Sequence, residues 1–387
     1  MLIKLPIFAC LALLAFAGTT RIGLFTLNRG VFGQKSDKFD RMKWLMVAIP
    51  PLLILLTLLF YPLCVAIQDG FWTPWATGGA IWLLLSCATG AYWIVDRVYQ
   101  NLRDSHVPGT KTFPSEITLL RKAHIPIRAL RELGAHNDLY DLEITTHAVF
   151  IPDLPEAFEG YRIAFLTDTH VASFMRRAYF RECVDQVNKR SVDLILLGGD
   201  FVTWKRHIPL MSELLIAPLR AKDGCFAVLG NHDYWADADG VIAALTSRGV
   251  RFIVNRAVTL ERNGAAIDLV GIDEVYRGRP DVPAAFSSVT NDRPCLGLSH
   301  HPDIIGLLHG RRIDLLLCGH THGGQIRVPF FGALVVPSRH EARYAAGFIR
   351  VRDVLMYVSR GLGAVPPIRI LCRPEIPVFV LRRGEKQ

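Results

Sequence analysis

Asp193-Leu194-Ile195-Leu196-Leu197-Gly198-Gly199-Asp200 is an apolar run that ends in two glycines and a carboxylate. The run predicts a buried strand, and the glycines let the backbone turn tightly and leave the Asp200 carboxylate open at the strand end. Loops at the carboxyl ends of strands are where α/β folds gather their ligands. Four further segments follow strand-like runs in the same way: Asp168-Thr169-His170, Gly230-Asn231-His232-Asp233, Ser299-His300 and Gly319-His320-Thr321-His322.

From residue 161 onward, strand-like runs alternate with helix-like stretches at residues 177–189, 238–247 and 302–309, but the runs around residues 251–270 have no helices between them. This mixture predicts an α/β (α+β) domain with two sheets packed face to face and helices outside. Upstream, Asp141 to Phe150 alternates like a strand, which we place at the edge of the catalytic sheet. The pattern predicts a loop over residues 104–114 and a partly helical stretch over residues 115–133.

The first hundred residues concentrate the apolar side chains of a chain that is 51% hydrophobic and has a formal charge of +9. Leu45 to Ile67 and Phe71 to Val95 carry no charge, and both exceed the roughly 20 residues that cross a bilayer. Residues 5–20 are shorter and contain Ala15-Phe16-Ala17, so they predict either a third span or a cleaved signal peptide. We favour the span, because the basic segments that flank these stretches then all lie on the cytoplasmic side.

We therefore predict three regions of the chain. Residues 1–100 form a transmembrane region with spans at about 5–20, 45–67 and 75–95, residues 101–153 a linker and edge segment, and residues 154–387 the catalytic domain. The expected location is the inner (cytoplasmic) membrane, multi-pass, with the catalytic domain on the cytoplasmic side. The bilayer is an expected partner, because the basic residues that flank the spans attract anionic headgroups.

The motif segments together supply carboxylate and amide oxygens and imidazoles, which two divalent metals that share one carboxylate require. Asp168 and His170 are two residues apart, as are His320 and His322, so each pair points to one side of an extended backbone. A single Asp or His at a strand end is more often a helix cap or a hydrogen-bonded structural residue. Five such segments in order nevertheless predict a metal site.

This ordered set resembles the signature of the calcineurin-like metallophosphoesterases over about residues 161–382. Residues 319–325 and Ser359-Arg360-Gly361-Leu362-Gly363 are similar to the bacterial membrane-anchored branch, which includes the UDP-2,3-diacylglucosamine hydrolases of the chlamydial type. The resemblance implies a metal-dependent phosphoric ester hydrolase with a two-sheet metallophosphoesterase sandwich flanked by helices, here preceded by N-terminal transmembrane helices.

The resemblance also implies a role for each residue. One metal takes Asp168, His170, Asp200 and His322, and the second takes Asp200, Asn231, His300 and His320, with Asp200 bridging. His232 and Asp233 are implied as catalytic: His232 lies near the leaving group, either as general acid or as a donor that stabilises the phosphoryl oxygens, and Asp233 orients it. His300 and not His301 matches the family pattern of histidine followed by x-Pro-Asp. Two metals about 3.5–4 Å apart lower the pKa of a bridging water and orient the hydroxide for in-line attack on phosphorus.

The expected substrate is a lipid-linked or nucleotide-linked phosphoester or pyrophosphate at the membrane. A nuclease or cyclic-nucleotide phosphodiesterase would use the same metals, but the catalytic segment has no basic stretch interleaved with aromatic residues, so nucleic acid is not an expected partner. A non-catalytic docking module is disfavoured because no ligand position is lost. Mn²⁺ is the favoured metal, with Fe, Zn²⁺ or Mg²⁺ as alternatives.

Two further features of the sequence have more than one interpretation. Arg360 is a candidate substrate-binding residue, although it equally suits a pair with a surface carboxylate. Residues 208–219 form either a wall for acyl chains or the buried face of a helix, and we favour the helix.

Overall fold

The structure is a computed structural model that describes residues 88–99, 107, 110–119 and 136–384. Residues 88–99 are helical, and the residues from 107 onward belong to one unit, Arg103–Gln387. In the part of the chain that the structure describes, no helix has both the length and the apolar character to cross a membrane. The predicted spans at 5–20 and 45–67, and most of the one at 75–95, lie outside the described residues, so the three-region division stays a prediction.

Each predicted apolar run forms a strand with small differences at its ends, and β1, β2, β12, β13 and β14 are strands that the sequence did not predict. In chain order they are β1 (Thr110–Thr112), β2 (Glu116–Leu119), β3 (Asp141–Pro152), β4 (Arg162–Leu166), β5 (Leu194–Leu197), β6 (Cys225–Ala227), β7 (Val250–Phe252), β8 (Arg256–Arg262), β9 (Ala265–Ile272), β10 (Cys295–Ser299), β11 (Leu315–Cys318), β12 (Arg327–Val328), β13 (Gly332–Ala333), β14 (Gly347–Val351), β15 (Val354–Val358) and β16 (Glu375–Gly384).

Two mixed sheets contain most of these strands. The first has the order β1-β3-β16-β4-β5-β6-β7, with β2 also paired to β3. Its strands β4 to β7 are parallel. The second sheet has the order β14-β15-β11-β10-β9-β8, and β9, β10, β11 and β15 are parallel in it. Because both parallel sets run to the same edge of the molecule, their carboxyl-terminal loops meet there, and we call this edge the metal edge.

The helices cover the outer faces of the sheets. They are α1 (Arg177–Asn188), α2 (Ile208–Met211), α3 (Asn231–Ala236), α4 (Ala238–Thr246) and α5 (Val282–Ala285). A π-helical turn, Ser212–Ile216, continues α2. Short 3₁₀ turns lie at Glu156–Phe158, Lys205–His207, Pro302–Leu307, His322–Gly324 and Glu341–Tyr344. Met211, Leu215 and Ile216 are buried in the core, so residues 208–219 form the buried face of a helix.

Alternation along the strands builds the layers. In β5, Leu194 and Leu196 point between the two sheets and Ile195 and Leu197 point toward the helices. The strands of the second sheet divide in the same way, because a strand sends successive side chains to opposite faces. The two-sheet α/β sandwich with outer helices that the sequence predicted is confirmed.

The position of β3 corrects the sequence prediction. β3 is not an edge strand, because β1 and β2 pair with one side of it and β16 pairs with the other. β1 lies in the predicted loop over residues 104–114, and β2 lies in the stretch predicted to be partly helical. The local pattern around residue 145 carries no information about a strand 230 residues later in the chain, and that strand is the one inserted between β3 and β4.

Candidate metal centre

The loops after β4 and β5 are joined by backbone hydrogen bonds at the metal edge. Asp168 N donates to Gly199 O at 3.0 Å, and His170 N donates to Asp200 O at 3.0 Å. These bonds fix Asp168, His170 and Asp200 side by side, and all three side chains are buried. The parallel pairing of β4 with β5 is therefore what brings the first two motifs together.

One half of the centre is formed by Asp168, His170 and His322. The Nε2 atoms of His170 and His322 lie 3.2 Å apart, and His322 Nε2 lies 3.6 Å from Asp168 Oδ1. One ligand atom from each of the three residues lies within 4.8 Å of the others, a spacing that suits one cation.

The other half is formed by Asp200, Asn231, His300 and His320. His300 Nε2 lies 3.2 Å from Asn231 Oδ1, 3.2 Å from His320 Nδ1 and 3.4 Å from Asp200 Oδ2. The same Oδ2 atom of Asp200 lies 3.5 Å from His170 Nε2 in the first half. Asp200 therefore contacts both halves, as a carboxylate shared by two ions would.

The protonation states of most of these side chains suit a cation. Burial lowers the pKa of His170 and His320 well below the ordinary value, and burial together with Arg369 lowers that of His322 to about 3. Burial alone would raise the pKa of Asp200, but His300 and His232 hold it well below its usual range. Asp200 in turn raises the pKa of His300 to about 10, against the effect of burial. His170, His320 and His322 are therefore neutral and Asp200 is ionised, as metal ligation requires, whereas His300 would have to lose its proton to bind an ion.

Five of the candidate ligands have a backbone conformation that side chains other than glycine rarely adopt. The φ angles are 52° at Asp168, 43° at His170, 53° at Asp200, 70° at His320 and 51° at His322. Each such residue costs of order 1–3 kcal/mol, and positions of this kind cluster at functional sites. The sequence pattern gave no sign of these conformations.

Glycines bring the backbone close to the two carboxylates. A Cβ atom on Gly230 would lie 2.2 Å from Asp200 Oδ1, and one on Gly361 would lie 2.6 Å from the Cβ of Asp168. Side chains at these positions would displace the carboxylates, which explains a glycine after β6 and another after β15.

The segment from Asn231 to Ala236 is helix α3 and not the loop that the motif alone suggested. The backbone N–H of His232 donates to Asp200 Oδ1 at 2.7 Å, and the His232 ring lies 4.6 Å from the ring of His170. The Asp233 carboxylate accepts hydrogen bonds from the backbone N–H groups of Asp200, Phe201 and Gly230. Asp233 therefore fixes the loops that carry Asp200 and His232.

The adjacent histidines separate as the strand geometry predicts. His300 enters the centre, and its Nδ1 pairs with Gly198 O at 2.8 Å. His301 Nδ1 accepts from Asp303 N at 3.0 Å and caps the 3₁₀ turn at Pro302–Leu307. The Asp303 carboxylate accepts from Ser338 Oγ and Tyr276 Oη, so the histidine-x-Pro-Asp sequence ties β10 to one earlier loop and one later loop.

The Arg360 guanidinium is paired with carboxylates. It donates to Glu375 and, at 2.9 Å, to Glu143. These two carboxylates raise the pKa of Arg360, although burial alone would lower it. The carboxylates lie on β16 and β3; Glu375 is only 3% exposed and Glu143 is half-buried. This pairing accounts for the guanidinium, so phosphate contact by Arg360 is not part of the function proposed below.

Two residues beside His232 were not found from the sequence. Trp235 is 46% exposed, and its ring lies edge-on to His232 at 4.6 Å. The Arg277 guanidinium lies 5.1 Å above the Trp235 ring. The three-residue spacing of His232 and Trp235 would have identified the pair only if α3 had been predicted as a helix.

Arg369 was also missed, and it supports the loop that carries His322. Its side chain is fully buried, and its guanidinium donates to five backbone carbonyls. These belong to His322, Arg360, Gly361, Gly363 and Cys372. Arg369 therefore holds the loops after β11 and β15 against one another.

We expect Arg369→Leu to lower the free energy of unfolding by about 3 kcal/mol, because the carbonyls would lose their donor while staying buried. The full chain in detergent should show a Tm about 6–10 °C lower in a thermal melt. Arg181→Leu, at an exposed position of α1, is the matched control. An equal Tm for the two variants would contradict the supporting role.

Comparison with known proteins places the chain in a family. The sequence profile of the calcineurin-like phosphoesterase family matches residues 161–324, a range that includes every candidate metal ligand. The uncharacterized metallophosphoesterase YkuE of Bacillus subtilis is 30% identical over 251 residues, which cover 62% of this chain and 86% of YkuE. The phosphodiesterase YaeI of Escherichia coli is 32% identical over 225 residues, covering 57% of this chain and 82% of YaeI.

A third relative is the UDP-2,3-diacylglucosamine pyrophosphatase LpxG of Chlamydia trachomatis, 27% identical over 280 residues, covering 58% of this chain and 85% of LpxG. The chain belongs to the calcineurin-like metallophosphoesterases. It is accordingly a metal-dependent phosphoric ester hydrolase, and the predicted family is confirmed.

Proposed function

We propose that the chain is a membrane-anchored, dinuclear phosphoesterase that hydrolyses a phosphoester or pyrophosphate bond in a lipid-linked or nucleotide-linked substrate. The observation that carries the proposal is the Asp200 carboxylate, whose Oδ2 lies 3.4 Å from His300 and 3.5 Å from His170 in the two halves of the centre. A carboxylate in that position suits two ions better than one.

Asp168, His170, Asp200 and His322 would hold one ion, and Asp200, Asn231, His300 and His320 the other. Imidazole and carboxylate ligands suit Mn²⁺, Fe and Zn²⁺ better than Mg²⁺, and we propose Mn²⁺ among them. When bound, the two ions supply Lewis acidity and a nucleophilic water of lowered pKa. The names of YaeI and LpxG, a phosphodiesterase and a pyrophosphatase of a diacylated nucleotide sugar, support the substrate class.

The chain's own residues orient the reaction. His232 is half-buried beside both halves of the centre, where its ring can give a proton to the leaving oxygen. Asp233 holds the backbone beneath it through three N–H groups. Trp235 and Arg277 lie on the outer side of His232, where the leaving group of a substrate would lie.

The proposed location rests on the sequence. Leu45 to Ile67 and Phe71 to Val95 are uncharged, and Lys and Arg residues flank them on the sides that we assign to the cytoplasm. We propose that these segments span the inner membrane and keep the catalytic domain on the cytoplasmic side.

Metal removal tests the function. Full-length protein purified in detergent should hydrolyse bis-p-nitrophenyl phosphate. Its kcat should fall at least about 10³-fold after chelation, and the activity should return when Mn²⁺ is added back to two ions per chain. Metal content by mass spectrometry is measured on the same samples. A chain that binds two ions and hydrolyses no phosphodiester would point to a docking role, and a chain that binds no metal would overturn the ligand assignment.

A further inference from the structure

Large apolar side chains are exposed in two short segments that follow the last metal-edge motifs. Phe330 is 76% exposed, Leu371 59% and Val335 53%. Together with Val328, Leu334 and Val365 they form what we call the hairpin face. Exposed apolar patches of this kind mark contact with another phase or partner.

The two segments form one surface. β12 and β13 make a hairpin whose turn is Pro329-Phe330-Phe331, so Phe330 lies at its tip. Arg327 N donates to Ile370 O at 3.0 Å, and Ile370 N donates to Gln325 O at 2.9 Å. These bonds join the hairpin to residues 365–371, so the exposed side chains of both segments belong to the same part of the molecule.

The hairpin face adjoins the metal centre. The hairpin begins three residues after Gly324, which ends the turn that carries His322. A Cβ on Gly324 would lie 2.4 Å from the Cβ of Ala333 in β13. On the other segment, Cys372 Sγ donates to His322 O at 3.3 Å. A surface that bound this face would therefore lie beside the catalytic ligands.

The charges around the face are almost all positive. Besides the fully buried Arg369, residues 325–345 and 364–374 contain four arginines, at positions 327, 339, 343 and 373, and a single acidic residue, Glu341. Arg339 and Arg343 are exposed, and Arg327 is half-buried at the base of the hairpin. Apolar side chains surrounded by cations are complementary to a bilayer with anionic headgroups. The apolar side chains can enter the acyl region, and the cations can bind the lipid phosphates.

We propose that the hairpin face seats the catalytic domain on the surface of an anionic lipid bilayer, with Phe330 among the acyl chains and the exposed Arg339 and Arg343 at the level of the lipid phosphates. The metal edge then faces the headgroup layer. Combined with the proposed function, on which this last step rests, the seating selects phosphoesters carried by membrane lipids over those free in solution.

A probe at the hairpin tip tests the seating without relying on catalysis. Phe330→Cys in the full chain is labelled with an NBD fluorophore and placed in nanodiscs of phosphatidylglycerol and phosphatidylcholine, with unmodified protein as the control for labelling of native cysteines. Phe150→Cys is the matched control site, because Phe150 is 41% exposed. It pairs with Arg382 at the end of the first sheet opposite the metal edge.

We expect lipids with a doxyl quencher on the acyl chain to reduce NBD emission at position 330 by about half or more, because membrane-seated apolar faces enter about 5–10 Å into the bilayer. Emission at position 150 should stay unchanged. Equal, weak quenching at both positions would overturn the proposal. So would a blue shift at position 330 that no lipid quencher reduces, since that result would assign the face to a protein partner. Neither outcome depends on whether the phosphoesterase is active.

Discussion

Asp200→Asn should reduce kcat for bis-p-nitrophenyl phosphate by about 10³-fold or more and lower the bound metal from two ions to one or none. The substitution keeps the size of the side chain, so the hydrogen bond from His232 N at 2.7 Å can persist. It removes the charge of the one oxygen that lies close to both His170 and His300. Without that charge, neighbouring cations would repel one another with no anion between them.

The matched control is Asp185→Asn, because Asp185 is an exposed carboxylate on α1 outside the metal edge. It should keep wild-type kcat and metal content. Activity within about tenfold of wild type for Asp200→Asn, with two ions still bound, would show that the ions do not share this carboxylate.

Much of the centre was predictable because its chemistry is encoded locally. Asp168 and His170 follow one apolar run and Asp200 follows the next, and parallel pairing of these runs as β4 and β5 is enough to bring them together. Strand alternation predicts that His300 and His301 face opposite ways, and the family pattern of histidine followed by x-Pro-Asp selects His300 as the ligand. Strand alternation and a common sheet edge are enough to predict a metal site from these motifs, and the family resemblance supplies the role of each residue.

The parts that were missed depend on distant contacts or on local strain. β16 enters between β3 and β4, a pairing decided by packing between segments more than 200 residues apart. Arg369 lies outside the motifs, and the sequence does not suggest a partner for it. Its partners are backbone carbonyls that come together only when the loops fold. The left-handed φ angles at Asp168 and His320 are similarly imposed by the surrounding structure and not by residue type.

His232→Gln should lower kcat by about 10²–10³-fold for a phosphodiester with a basic leaving group, because glutamine cannot give up a proton to the leaving oxygen. The ring of His232 lies next to the centre, 4.6 Å from the His170 ring, but its backbone N–H is what holds Asp200. Removing the imidazole should therefore leave metal binding at two ions per chain.

Two substrates of similar shape distinguish proton donation from stabilisation of the phosphoryl oxygens. Diphenyl phosphate releases a basic phenolate that needs a proton, whereas bis-p-nitrophenyl phosphate releases a stable anion. If His232 donates a proton, His232→Gln should lose kcat on bis-p-nitrophenyl phosphate by a factor about tenfold or more smaller than its loss on diphenyl phosphate. Equal losses on both esters would instead place His232 on the non-bridging oxygens of the phosphoryl group. His309→Gln, at an exposed histidine, controls for loss of an imidazole and should match wild type on both substrates.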